Sequence, residues 1–283
     1  MDRKVKITIV VDNKAGRDLD SEHGFAAWIE ASGKRILFDT GQGQALAGNA
    51  ARLDIPLDKA DHLVLSHGHY DHGGGIVQVM EQSGSAIIHL HPDALIKRYS
   101  LDAKRKSRPV GLSEETIGFL ESLPSERVHW IKQSEYILPG IGLTGPIPRT
   151  DSDEDVGGLF YTDQQGNSKD LINDDQALWI DTDKGLVVCT GCAHSGIINT
   201  LNYIKKITGK TEIRAVAGGF HLMGAKRARV EKTVDELENI SPEVIAPCHC
   251  TGDEARGFIK ERLGDRFVAC RAGAEIVLPV SRK

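Results

Sequence analysis

The sequence predicts an α/β protein in which two packed sheets are flanked by helices, in one domain spanning residues 1–283. Three observations predict it. The first third reads as short β-branched strands separated by turns, and the final third alternates strand with helix. With 283 residues, 40% of them apolar, the chain can also bury one large core between two such layers.

Residues 5–11 alternate and are β-branched, as a strand requires. Residues 25–30 and 35–38 form a predicted hairpin turning at Ser32-Gly33, and Asp39-Thr40-Gly41 ends that run. A helix over 44–53 is broken by Ile55-Pro56. Residues 62–65 make a short buried strand, 76–82 a helix and 85–89 a strand. The region 92–170 is less regular. It holds a basic run, Lys104-Arg105-Lys106-Ser107-Arg108, and an acidic, glycine-bearing stretch over 149–170, and is expected to act as a substrate-covering insertion and loop. Beyond it, 177–180 and 185–188 form a hairpin around 181–184. Then come a helix over 197–207 with Ile197, Leu201, Ile204 and Ile207 on one face, a strand at 213–216, a helix at 227–240, a strand at 244–246 and a helix at 254–263.

A net charge of −5 and a pI near 6.1 give no broad electrostatic reason to expect nucleic acid or an anionic membrane as partner. A small-molecule substrate is expected instead; the basic run, with Lys104 and Arg105, could receive a phosphate on it, or be an ordinary solvated face. The opening residues lack the apolar core of a signal peptide and no apolar run spans a bilayer, so a cytoplasmic protein is expected. Five cysteines, an odd number, suggest free thiols, metal ligands or redox chemistry before structural disulfides.

The densest chemical signal is His67-Gly68-His69-Tyr70-Asp71-His72, followed by Gly73-Gly74-Gly75. Imidazoles and a carboxylate crowded into one turn suit zinc first, with iron or manganese as alternatives. Four donors exceed what one catalytic ion with an open position takes, so the spacing points to two divalent ions. The glycines are expected to let the backbone turn tightly and the metal approach. A polar turn whose histidines only satisfy the backbone is the bland alternative.

That string resembles the signature loop of the metallo-β-lactamase fold superfamily, an αββα sandwich. The resemblance implies that His67 and His69 hold one metal, and that Asp71 and His72 hold a second. Phe38-Asp39-Thr40-Gly41 resembles the motif whose aspartate supports the site from behind the ligands, and Pro247-Cys248-His249-Cys250 the motif whose histidine binds the second metal. Val11-Asp12-Asn13, Glu22-His23-Gly24, Thr190-Gly191-Cys192-Ala193-His194-Ser195-Gly196 and Gly218-Gly219-Phe220-His221 narrow the likeness. Together they resemble the branch labelled dihydropterin ribofuranosylaminobenzene phosphate synthase-like. The chain also departs from the superfamily: Asn173-Asp174-Asp175-Gln176 replaces its usual histidine motif, and Cys192 falls near its bridging acid. His194 is therefore expected to complete the first metal's shell, with Cys192 or Asp175 as the bridge. His221 is open to metal ligation, substrate contact or neither.

The resemblance implies a hydrolase in which a hydroxide between two metals attacks an ester, phosphoester or lactone. Asp71 would ligate and steer the proton, Asp39 would fix a histidine tautomer, and His221 or a water would protonate the leaving group. Rival readings are the pterin-condensing synthase, a non-catalytic metal-binding protein, and thiol chemistry. For the last, Cys189-Thr190-Gly191-Cys192 would be a redox pair or would join Cys248 and Cys250 around a structural zinc.

Overall fold

A computed structural model describes residues 4–280; the first three residues of the stretch weighed above as a leader lie outside the described residues. The sandwich is built from two sheets. In the first, the strands run Glu275–Pro279, Lys4–Val11, Ala26–Ala31, Lys34–Phe38, His62–Val64, Ile87–Leu90 and Val128–Trp130. Pairing is antiparallel up to Lys34–Phe38 and parallel beyond it. The second sheet runs Val244–Cys248, Ile213–Gly219, Gly185–Thr190, Ala177–Thr182, Ile141–Leu143 and Glu135–Leu138, with its first three strands parallel.

Strand alternation places the core. Val5, Ile7, Ile9, Ile36, Phe38 and Val64 meet Leu178, Ile180, Val187, Ala215 and Ala217 between the sheets. Their neighbours Trp28, Leu37, Leu63 and Leu65 face outward onto the helices Leu46–Arg52 and Ile76–Ser83. Trp179, Leu186, Val188 and Val216 meet Ile197–Thr208, Arg227–Ile240 and Asp253–Leu263 on the other side. Burial on both faces explains why Leu186-Val187-Val188 is a continuous apolar run rather than an alternating one.

The region 92–170 is shared between the sandwich and a separate layer. Val128–Trp130 and the hairpin Glu135–Leu138/Ile141–Leu143 extend the two main sheets. Tyr99–Leu101, Ser107–Pro109 and Phe160–Tyr161 form a third, three-stranded sheet. Arg98 ties this layer down. Its buried guanidinium bonds Asp170 at 2.8 Å and Asp174 at 2.9 Å, and Asp174 also accepts the Gly68 N–H at 2.7 Å. Among the described residues no helix is long and apolar enough to cross a membrane.

Candidate metal centre

Every chemically distinctive residue of the sequence leaves a strand at its C-terminal end, on one rim of the sandwich. Asp39 follows Lys34–Phe38, the 65–72 loop follows His62–Val64, and Cys192 and His194 follow Gly185–Thr190. His221 follows Ile213–Gly219, and His249 with Cys250 follows Val244–Cys248. Parallel strands point all these ends the same way, which is why five segments converge. Asp39, His221 and His249 are held at φ of 61°, 47° and 44°, left-handed conformations that few non-glycine residues adopt.

The supporting bonds share one logic. Asp39, fully buried, accepts from the Ser66 N–H and hydroxyl and from His72 Nδ1, each at 2.7 Å. The Ser66 oxygen in turn lies 2.9 Å from His67 Nδ1. His194 Nδ1 donates to the Val156 carbonyl at 2.9 Å, and His249 Nδ1 donates to Asn13 Oδ1 at 2.8 Å. In all four rings Nδ1 meets an oxygen, which turns Nε2 toward the interior of the site. That of His194 is buried without a partner among the described residues, that of His72 stands 3.2 Å from Cys192 Sγ, and that of His249 lies 3.4 Å from Asp71 Oδ2. His69 is the exception: its Nδ1 lies 2.9 Å from His67 Nε2.

Donor atoms gather in overlapping sets, each within 4.8 Å: His67, Cys192 and His194; His72, Cys192 and His249; His23, Asp71 and His249; and Cys192, His221 and Cys250. Burial holds His67 and His194 well below the usual imidazole range and His69 down to about 3, so the three are neutral. Burial would also depress His72, but the Asp39 carboxylate overrides it and lifts the ring to about 9. For Asp71, burial works against ionisation, while hydrogen bonds from His23 and His249 hold the carboxyl well below its usual value. Neutral imidazoles, an ionised carboxylate, thiols and an orphaned Nε2 fit a divalent metal centre.

Of the residues singled out in the sequence, His67, His69, Asp71, His72, Cys192, His194, His221 and His249 come together, with Asp39 behind them. Asp175 does not join them. Its Oδ2 accepts the Ser195 N–H at 2.7 Å, and burial pushes the carboxyl up to about 6. Lys104 and Arg105 sit in the exposed turn between Tyr99–Leu101 and Ser107–Pro109, outside the cavity wall, and Arg105 reaches the Gln165 carbonyl instead. Arg108 of the same run does line the cavity. The three glycines of the loop serve packing rather than tight turning: none has positive φ, and a Cβ at Gly74 would meet the Gln42 carbonyl at 2.6 Å. Ser66, Asn13 and Phe160 escaped the sequence reading as site residues. Asn13 had a signal in its place beside Asp12; Phe160, whose ring centroid lies 5.0 Å from that of His69 and 5.5 Å from that of His194, had none.

The family model of the metallo-beta-lactamase superfamily matches residues 20–249. An uncharacterised protein of Methanocaldococcus jannaschii is 36% identical over 252 residues, which cover 88% of this chain and 91% of that one. The 7,8-dihydropterin-6-methyl-4-(beta-D-ribofuranosyl)-aminobenzene-5'-phosphate synthase of the same organism is 30% identical, over 95% of each chain. A crystal structure described as a metal-dependent hydrolase of the beta-lactamase superfamily superposes with a TM-score of 0.82 at 30% identity, over 96% of this chain and 98% of that one.

Proposed function

The chain belongs to the metallo-beta-lactamase superfamily, and on that footing we propose that it is a metal-dependent hydrolase acting on an ester, phosphoester or lactone of a small molecule. The observation that carries this reading is the shared orientation of four histidines. His67, His72, His194 and His249 each commit Nδ1 to an oxygen and so turn Nε2 toward the site as the ligating atom. His67, His69 and His194 would hold one divalent ion, zinc by preference, and Asp71, His72 and His249 a second. Cys192 belongs to donor sets on both sides, which favours it over Asp175 as the shared ligand.

Once bound, the ions would polarise the substrate and lower the pKa of water from 15.7 to roughly 7. The chain's own groups do the rest. Asp71, kept ionised by its histidine neighbours, is placed to accept the attacking water's proton. His221 stands in the cavity wall with its ring centroid 4.3 Å from that of His194 and Cys250 beside it, a position suited to protonating the leaving group. Phe160 covers His69 and His194 and excludes water from that side. Because Asp39 holds His72, Asp39→Asn is expected to weaken metal binding by roughly 10–100-fold, read by competition with a chromophoric chelator.

Metal analysis followed by assay on a panel of phosphodiesters, esters and lactones tests the proposal: bound metal with turnover on one class supports it. The 30% identity to the named synthase favours a second reading, a condensation on a pterin pyrophosphate. Turnover with that substrate and none on the panel would overturn the hydrolase.

A further inference from the structure

We infer that Arg108 and Ser100 form an anion-holding subsite, so that the substrate carries a terminal phosphate or carboxylate on an apolar or aromatic body. The inference deepens the hydrolase reading and rests on it for the position of the reacting bond.

The three-stranded sheet carries the argument. Phe160 is paired in register with Ser100, and Ser100 with Arg108. Directly opposed residues on antiparallel strands put their side chains on the same face, so the three form one row across the sheet. All three line the cavity that contains His69, Asp71, His194, His221 and His249. The chemistry of the row is graded. At one end the Phe160 ring packs on two of the candidate ligands, the Ser100 hydroxyl stands in the middle, and the Arg108 guanidinium stands at the far end. Two interstrand spacings, about 10 Å along the sheet, separate the backbone of Phe160 from that of Arg108.

The charge pattern agrees. Asp71 is the one carboxylate in the cavity wall among the described residues, and it is engaged by His23 at 3.2 Å and His249 at 3.4 Å. Arg108 is exposed and forms no hydrogen bond or ion pair among the described residues, although its field reaches Tyr70. A guanidinium left without a counter-ion beside a hydroxyl matches a planar or tetrahedral oxyanion, which it can hold through two parallel hydrogen bonds. The same cavity wall offers apolar surface at Leu159, 53% exposed, and Met223, 54% exposed. The cavity volume, about 350 Å³, admits a ligand of that length but little more.

Calorimetric titration with phenyl phosphate, benzoate and benzyl alcohol tests the subsite without requiring turnover. Wild-type protein is expected to bind at least one of the two anions, and whichever binds tighter identifies the headgroup. Arg108→Ala should weaken that binding about tenfold or more, Arg108→Lys should recover part of it, and benzyl alcohol should be indifferent to both. The His67→Ala variant, impaired at the metal centre, should bind the anion within about threefold of wild type. Unchanged binding in Arg108→Ala, loss of binding in His67→Ala, or no binding of either anion to wild type would each overturn the subsite. An inactive protein that still binds phenyl phosphate through Arg108 would instead count against the hydrolase reading alone.

Discussion

His67→Ala is expected to remove at least one equivalent of bound metal and to lower turnover on the cleaved substrate by on the order of a thousandfold. His67 packs against three other candidate ligands. Its Nε2 lies 2.9 Å from His69 Nδ1, and its ring centroid is 4.3 Å from that of His72 and 4.7 Å from that of His194. Losing the acidity that an ion confers on water would cost far more than a thousandfold if both ions left, so the smaller figure assumes that Asp71, His72 and His249 keep the second. The fold should tolerate the change, because the Ser66 hydroxyl keeps its bond to Asp39 when the ring is gone. Elemental analysis beside steady-state kinetics checks the prediction. An alanine variant with wild-type metal content and activity would sink the binuclear reading.

How much of this centre is legible in the sequence depends on how far apart its parts lie along the chain. The loop from His67 to His72 is legible because four donors fall within six positions, and no ordinary turn needs them. His194 and His249 are legible only through resemblance to a family, since nothing local distinguishes them from capping or packed histidines. The bridge was left between Cys192 and Asp175, two residues of comparable chemistry in the sequence. In space they separate, because Asp175 is drawn to the backbone of Ser195 while Cys192 lies against His72. Within the basic run the sequence does not tell Arg108 from Lys104 and Arg105: only the register of a small sheet brings Arg108 to the cavity wall and leaves the other two in the turn.

The same contrast holds for the fold. Long periodic elements such as Ile197–Thr208 and Arg227–Ile240 are read almost to their ends. The strand Glu275–Pro279 escapes, because its alternate residues are exposed at the edge of the sheet and its pairing partner Lys4–Val11 lies at the other end of the chain. His89 and His91 lie at the end of the strand Ile87–Leu90. His91 caps the turn at Pro92–Leu95 by accepting the Asp93 N–H. His89 is packed, with a consequence for stability that sequence cannot convey.

Acidification below pH 6.5 is expected to destabilise the fold, with His89 contributing on the order of 4 kcal/mol by pH 3. The ring is buried, lies 3.0 Å from His62 through its Nε2, and has a buried Nδ1 with no partner among the described residues. Every group facing it disfavours a positive charge or is already engaged. His62 stands on one side beside Lys34 and Asp61, and His129, paired with Glu135 at 3.1 Å, stands on the other. Burial first, then His62 and His129, hold its pKa down at about 3. An unfolded histidine titrates near 6.5, so between these values the unfolded chain binds the proton and the folded chain does not. Stability is therefore fully present above pH 6.5 and is lost as the pH falls, about 2 kcal/mol of it by pH 5. His72, raised to about 9, works the other way: its contribution in the metal-free protein is present below pH 6.5 and fades as the pH climbs through 9. His69, also lowered to about 3, adds to the acid loss. Urea unfolding of chelator-treated wild type and His89→Leu between pH 7.5 and 5 separates these contributions. The leucine variant keeps His69 and His72 but removes the His89 titration, so its stability should fall less steeply with acid; an equal slope in both proteins would rule out His89 as the cause.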